Sequence, residues 1–208
     1  NLISALAENN RIPDKIIFSS TISVYGEKYK QTIYSEDSDC KPYSAYAVTK
    51  LAAEKYLLDN FNTKSWILRL APVYSSDFLL NINRRTKIRS IFYRIGKGSK
   101  NLSLCNIENI GVAVEAIINN KVPNGVYNIS DNINYTYDDL LRRQKANLIF
   151  PIPMFVIKLL YYLGKFVNNT FLRENTVKLI TNNIFPPDKI CSHIDLPATI
   201  NDVKFNHD

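Results

Sequence analysis

Tyr46 and Lys50 stand four residues apart in Tyr46-Ala47-Val48-Thr49-Lys50, and a run of hydroxyls, Ser19-Ser20-Thr21, lies upstream at the end of a short apolar run. On a helix over 43–62 that spacing puts the phenol and the ammonium on one face, about one turn apart. A positive charge held there favours the phenolate over the phenol, whose unperturbed pKa is about 10. A phenol biased in this way can take and return a proton, and a hydroxyl from Thr21 can relay that proton to a substrate oxygen. These are the parts that interconvert an alcohol and a ketone. A tyrosine and a lysine at this spacing also arise as a ring on the core beside a charge in water, so the elements around them decide their meaning.

Lys15-Ile16-Ile17-Phe18 reads as a buried strand that opens into a polar loop at Ser19-Ser20-Thr21. Trp66-Ile67-Leu68-Arg69-Leu70 reads as a second buried strand, ending at Ala71-Pro72-Val73-Tyr74, and Gly125–Ser130 as a third that ends in polar Asp131. Ligands of open parallel sheets bind beyond the carboxyl ends of the strands. Both the hydroxyl run and Ala71–Tyr74 fall at such ends. Between them, Gly26–Pro42 reads as an irregular loop across the site mouth, with a solvated acidic cluster at Glu36-Asp37-Ser38-Asp39. The Tyr46 helix continues an apolar stripe through Ala52, Ala53, Tyr56 and Leu57. Residues 81–95 form a basic amphipathic stretch, Leu102–Ile107 a strand and Glu108–Asn120 a helix. Another helix starts at Thr136-Tyr137-Asp138-Asp139 with hydroxyl and carboxylate capping chemistry.

Phe18-Ser19-Ser20-Thr21-Ile22-Ser23-Val24-Tyr25-Gly26 and Pro42-Tyr43-Ser44-Ala45-Tyr46-Ala47-Val48-Thr49-Lys50-Leu51-Ala52-Ala53-Glu54 resemble, in order and separation, two blocks of the extended short-chain dehydrogenases/reductases. Among these the chain looks most like the nucleotide-sugar epimerases and dehydratases, in particular UDP-sugar 4-epimerases of polysaccharide pathways. The resemblance implies an α/β fold: the C-terminal part of a doubly wound parallel-sheet, Rossmann-type domain over 1–130, with substrate-domain insertions near 76–105. Residues 131–208 would then form mainly a small α+β substrate domain. It implies NAD as cofactor and a homodimer through a helix pair that includes residues 43–62. It casts Tyr46 as acid and base, Lys50 as the group that biases it and holds the nicotinamide ribose, and Thr21 as the hydrogen-bond partner of the reacting sugar oxygen. Ser19, Ser20, Ala71, Pro72 and Val73 would border the cofactor. Family members carry Arg-x-x-Asn-Val-Tyr-Gly at the second strand end, where this chain keeps Arg69, Val73 and Tyr74 but has Pro72 and Ser75.

Within that family the residues between Thr21 and Val24 discriminate. Dehydratases carry Asp-Glu there and decarboxylases a Glu beside the Val, whereas this chain has Ile22-Ser23, with nothing to ionise. The expected reaction is therefore 4-epimerisation of a nucleotide-linked sugar, UDP-hexose or UDP-N-acetylhexosamine, for surface polysaccharide synthesis. A 4-keto-sugar reductase and a non-catalytic binding fragment are the alternatives. The chain opens on Asn1, its single methionine is Met154, and Leu2–Ala7 reads as a helix already under way. A first strand, a Gly-rich phosphate turn and an acidic ribose ligand are expected to precede it, and the residues given are not expected to retain NAD alone. Gly96-Lys97-Gly98 lacks the third glycine of such a turn and reads as a loop.

The 208 residues, 46% hydrophobic and 22% charged, suit one substantial core or one and a half. The net charge of +7 is scattered except at Arg84, Arg85, Lys87, Arg89, Arg94, Lys97 and Lys100. That patch suits a solvated face or a substrate diphosphate, with Arg84 and Arg89 the candidate contacts, and no nucleic-acid module is recognisable. Arg173 is a further candidate, because a guanidinium matches phosphate geometry. Cys40, Cys105 and Cys191 are few, distant and odd in number, which points to reduced thiols in the cytoplasm. His193 and His207 lack metal-ligand spacing, so no metal site is expected. No signal peptide is expected, and the residues hold no run of eighteen apolar ones. Pro151–Phe166 is the most apolar segment, interrupted by Lys158 and Lys165. It is expected to pack within the substrate domain, and the alternative is a helix lying on a membrane surface.

Overall fold

The computed structural model describes residues 2–9, 11–26, 28–29 and 31–205. His207, and residues 27 and 30 of the Gly26–Pro42 loop, lie outside them.

In chain order the elements are α1 (Leu2–Glu8), β1 (Ile16–Thr21), α2 (Ala45–Phe61), β2 (Ser65–Leu70), β3 (Val73–Tyr74), α3 (Leu80–Thr86), β4 (Lys87–Ile88), β5 (Ile91–Ile95), β6 (Asn101–Leu102), β7 (Cys105–Asn106), α4 (Ile107–Ile118), β8 (Gly125–Ile129), β9 (Tyr135–Thr136), α5 (Tyr137–Arg143), β10 (Ile149–Ile152), α6 (Met154–Phe166), α7 (Thr170–Ile180) and α8 (Asp188–Cys191). β1, β2 and β8 form an all-parallel sheet in that order. Its register aligns Thr21 with Leu70 and Leu70 with Ile129, so three carboxyl ends share one rim.

Side chains alternate across this sheet. Ile16, Phe18 and Ile67 face Leu57 of α2. Ile17, Trp66 and Leu68 face Ala113, Ala116 and Ile117 of α4. Helices on both faces make the sheet Rossmann-like, the α/β arrangement expected from the sequence. Lys15 fastens the second layer by donating to the carbonyls of Ile117 and Ile118, at 2.5 and 2.7 Å, where the α4 dipole ends negative. Phe185, Ile190 and Leu196 join the α4-side core, with Phe185 stacked on Tyr25 and Tyr34.

Beyond the first sheet, among the described residues, lie a second three-stranded sheet and two strand pairs. β10-β5-β4 pairs β10 parallel and β4 antiparallel to β5. Ile95 of β5 packs with Ile157 of α6 and Ile180 of α7. Pro151 is tolerated because β10 is an edge strand, and Pro153 separates that strand from α6. The apolar segment 151–166 is thus the end of a strand and then a helix. Among these elements β6 pairs with β9, and α5 starts with a full Thr136–Asp139 capping box.

Four expectations change. Ser19-Ser20-Thr21 is strand and not loop, because its backbone pairs with Leu68–Leu70. Leu102–Ile107 is two short strands in different pairs, and Ile107 already belongs to α4. The buried line of α2 is Ala47, Glu54 and Leu57, whereas Ala52 is exposed. Glu36 is not simply solvated, since its carboxylate accepts the Asn128 N–H at 2.8 Å and its carbonyl accepts from Arg69 at 3.2 Å.

Candidate active site

A cavity of about 480 Å³ opens at the carboxyl rim of the parallel sheet. Ser19 to Ser23 form one wall, Leu70 to Val73 a second, and Tyr46 stands at its edge. Asn81, Arg84 and Arg85 of α3 and Lys178 of α7 close the remaining side. That volume falls within the range of about 300–1,000 Å³ usual for small-molecule sites.

Each catalytic candidate is set by local structure. Ser44 caps α2 by accepting from Ala47 N–H, so the helix starts just before Tyr46 and holds its ring 58% exposed at the cavity edge. One turn on, the Lys50 ammonium donates to the Ser19 carbonyl at 2.7 Å. It lies 4.8 Å from the centre of the Phe18 ring and 5.9 Å from that of Tyr46. Thr21 ends β1 and caps the 3-10 turn Ile22–Tyr25, its oxygen accepting the Ser23 N–H at 3.2 Å. A hydroxyl that accepts in this way keeps its own proton to donate. Thr21 and Tyr46 therefore share one cavity, with the Lys50 ammonium pinned beside its Ser19 wall.

Ser20 sits differently from its neighbours. Its side chain is buried and donates to Glu54, leaving only the remainder of the residue to line the cavity. Glu54 also receives Arg69, through Nη2 at 2.8 Å and Nε at 3.2 Å, and the two are 1% and 5% exposed. This pair braces α2 against β2. Burial pushes the Tyr25 phenol up to about 12 despite the opposing charge of Arg69, whose guanidinium lies 4.9 Å from the ring centre. Sequence reasoning assigned Glu54 no structural role, because a glutamate on a helix ordinarily faces water.

A second buried carboxylate joins β3, β7 and β9. Asp131 accepts the hydroxyls of Tyr74 and Tyr135 at 2.5 and 2.7 Å, the Asn106 N–H at 2.7 Å and the Asn109 amide at 3.0 Å. Burial raises its pKa above the ordinary carboxylate value although all these donors lower it. The same burial raises both phenols.

The basic residues of 84–100 separate in space. Arg84 and Arg85 line the cavity, and Lys87 lies on the Phe92 ring. Arg94 pairs with Asp138 at 3.5 Å. Arg89 is not brought to the cavity, because it takes the left-handed turn between β4 and β5 at φ 56°. Arg173 is not brought there either; it stacks on Tyr43 at 5.5 Å and lines a separate cavity of about 130 Å³ with Lys28, Tyr29 and Tyr161. Asn81, Arg85 and Lys178 are cavity residues that sequence reasoning missed. Only Arg85 carried a signal, as part of the basic patch.

Residues 1–130 match the model of a protein family described as "NAD dependent epimerase/dehydratase family". No curated protein matches the chain in sequence. Among solved structures, the UDP-Glc/GlcNAc 4-epimerase from Campylobacter jejuni is similar over 97% of this chain and 64% of its own, at 19% identity and a TM-score of 0.68. The UDP-glucuronic acid 4-epimerase from Bacillus cereus, solved with UDP-glucuronic acid and NAD, is similar over 73% of this chain and 51% of its own, at 26% identity and a TM-score of 0.55. A dTDP-glucose 4,6-dehydratase from Bacillus anthracis, in complex with NAD, is similar over 73% and 53%, at 17% identity and a TM-score of 0.55. The chain thus spans from about half to about two thirds of the length of these three structures.

Proposed function

Since the chain belongs to the NAD-dependent epimerase/dehydratase family, we propose that the protein epimerises C4 of a nucleotide-linked sugar, a UDP-hexose or UDP-N-acetylhexosamine, on the way to a surface polysaccharide. The observation that carries the reading is the shared cavity of Thr21 and Tyr46, which has no Asp or Glu among its described lining residues. Removing water or carbon dioxide from a sugar calls for an additional acid or base. Ile22, where dehydratases keep a carboxylate, is packed into the core, and Ser23 lines the cavity with a hydroxyl.

The residues present fit the nicotinamide half of NAD. The Ser19 to Thr21 strand end and the Ala71 to Val73 turn line two walls of the cavity, and the Lys50 ammonium, 2.7 Å from the Ser19 carbonyl, is the group suited to a ribose hydroxyl. NAD held there supplies a hydride acceptor and donor. The Tyr46 phenolate takes the proton of the sugar 4-hydroxyl and later returns it, and the Thr21 hydroxyl donates to the same oxygen while it is a ketone. Arg84, Arg85 and Lys178 face the diphosphate, whose charge the guanidiniums match with paired donors. Between the two half-reactions the keto sugar turns over within the cavity, and the Tyr46 and Thr21 oxygens hold C4 in place.

In this reading α2 also carries a homodimer contact, supported by Val48, Ala52 and Lys55, which lie exposed at helical spacing on one face. Free thiols at Cys40, Cys105 and Cys191 support a cytoplasmic setting.

The test is incubation of the full-length protein with UDP-glucose and with UDP-N-acetylglucosamine, without added cofactor, and chromatography of the sugar nucleotides. The 4-epimer should form to equilibrium. Product that appears only with stoichiometric consumption of NADPH would make the protein a keto-sugar reductase. Absence of both product and NAD binding would make it a non-catalytic binding chain.

A further inference from the structure

α6 is packed on one side only. Ile157 and Gly164 are buried and Tyr161 half-buried, facing α7 and β5. Gly164 lets the two helices approach, for a methyl group there would stand 3.2 Å from Leu172. On the opposite side Phe155, Leu159, Tyr162 and Phe166 repeat at intervals of four, three and four, the spacing of one helical face. All four are exposed, Phe155 by 70% and Phe166 by 90%, and Leu163 extends the stripe by one position. The 3.6-residue period sets Lys158 and Lys165 together along one flank of it.

We propose that this face of α6 lies in the headgroup layer of an anionic lipid bilayer. Isolated exposed apolar residues are ordinary, but a contiguous stripe of five large ones marks a surface that is covered by something. The charge pattern selects the cover. From Lys145 through Arg173 the chain has no Asp or Glu, while Lys158 and Lys165 border the stripe. A second copy of the chain would bring two more such lysines and no α6 carboxylate to meet them. An anionic headgroup layer supplies the negative charge, and its acyl boundary takes the aromatic rings. The 13 residues of α6 make a helix roughly 20 Å long, and no helix among the described residues is long and apolar enough to cross a membrane. The helix therefore lies in the plane of the surface. This inference does not depend on the catalytic reading.

Co-sedimentation at 0.1 M NaCl tests it, with vesicles of phosphatidylcholine alone and of phosphatidylcholine with phosphatidylglycerol at 3:1. The protein should pellet with the anionic vesicles and stay in solution with the neutral ones. K158Q/K165Q should lower partitioning about twenty-five-fold, at about fivefold for each lysine. F155S/F166S should abolish it. Both pairs are exposed, so circular dichroism and Tm should match the parent. Failure to pellet, or equal pelleting with both vesicles that ignores the lysines, would overturn the proposal. A dimer that F155S/F166S dissociates in sedimentation equilibrium, without vesicle binding, would also overturn it and assign the face to a second copy.

Discussion

The Lys50 ammonium donates to the Ser19 carbonyl across 2.7 Å, which ties the first turns of α2 to the carboxyl end of β1. With the buried bond from Ser20 to Glu54, this bond joins the helix that carries Tyr46 to the strand that carries Thr21. Replacing Lys50 by Met should reduce turnover about 100-fold or more, because the charge near the phenol is lost. Its stability cost should stay near 1 kcal/mol, the value of a single net hydrogen bond. Steady-state kinetics and urea denaturation read the two effects separately.

Tyr46 is mostly exposed, and its ring packs little of the core. Tyr46→Phe should therefore leave Tm unchanged within the scatter of surface substitutions, about 0.5 kcal/mol. Turnover should fall about 100- to 10,000-fold, the usual contribution of one acid–base group. Binding of the sugar nucleotide, measured by calorimetry, should persist. A Phe variant with parental turnover would remove the phenol from the chemistry.

The helix α2 and the four-residue spacing of Tyr46 and Lys50 are local, so they were legible in the sequence. So were the three parallel strands, whose apolar runs stand out. The buried face of α2 was not, since Glu54 joins it and Ala52 is exposed. Nor was the extent of β1, because Ser19 and Ser20 have no strand preference and owe their conformation to pairing with β2. Glu54 and Arg69 are 15 residues apart on different elements, and only the fold makes a buried pair of them. Lys178 reaches the cavity from a helix more than 100 residues downstream of Tyr46, so no local spacing announces it.

The two arginine positions that face the cavity should behave unlike the two that do not. Arg84→Ala and Arg85→Ala should each raise KM for the sugar nucleotide about tenfold, with a weaker dependence of KM on salt. Arg89→Ala and Arg173→Ala should leave KM unchanged, since one is in a hairpin turn and the other is stacked on Tyr43. Kinetics of the four variants in 50 and 300 mM NaCl would decide the matter. An effect of Arg173→Ala as large as that of Arg85→Ala would place the diphosphate in the smaller cavity.

Removing one partner of the Glu54–Arg69 pair leaves a buried charge without compensation. Glu54→Met should cost about 3–5 kcal/mol, whereas the double replacement E54M/R69M should cost far less than the sum of the single ones. The double variant still strands the Ser20 hydroxyl, which donates to Glu54 in the parent. Urea midpoints of the three variants give the coupling directly.

Asp131 and Asp139 should affect stability at opposite ends of the acid range. The raised carboxyl of Asp131 keeps its proton more readily in the folded chain than in the unfolded one. Its contribution is full below the ordinary value of about 4 and is lost as pH rises through the folded value. Asp139 is lowered by its bond to the Thr136 hydroxyl, so its contribution is present above the ordinary value and disappears as pH falls. The stability difference between parent and Asp131→Asn should change in favour of the variant from pH 4 upward. For Asp139→Asn the advantage of the parent should vanish on acidification. Urea titrations between pH 3 and 7 measure both slopes, and parallel slopes would contradict the assignment.

Gly26 closes the loop that leads from the Thr21 turn to α2. Its φ of 60° is left-handed, and a Cβ there would stand 1.9 Å from the Lys41 carbonyl oxygen. The left-handed backbone alone costs an alanine about 1–2 kcal/mol, and the overlap forces the Lys41 peptide outward as well. Lys41 is bonded through its N–H to the Tyr25 carbonyl and is followed directly by Pro42, Tyr43 and the Ser44 cap of α2. Its displacement therefore reaches Tyr46. Gly26→Ala should lower both Tm and turnover, whereas Gly164→Ala, whose backbone is not left-handed and whose methyl would crowd Leu172 and Arg173 at 3.2 and 3.3 Å, should lower Tm less and spare turnover. Differential scanning calorimetry beside the epimerisation assay compares them, and a Gly26→Ala protein with parental Tm would contradict the close approach of Lys41.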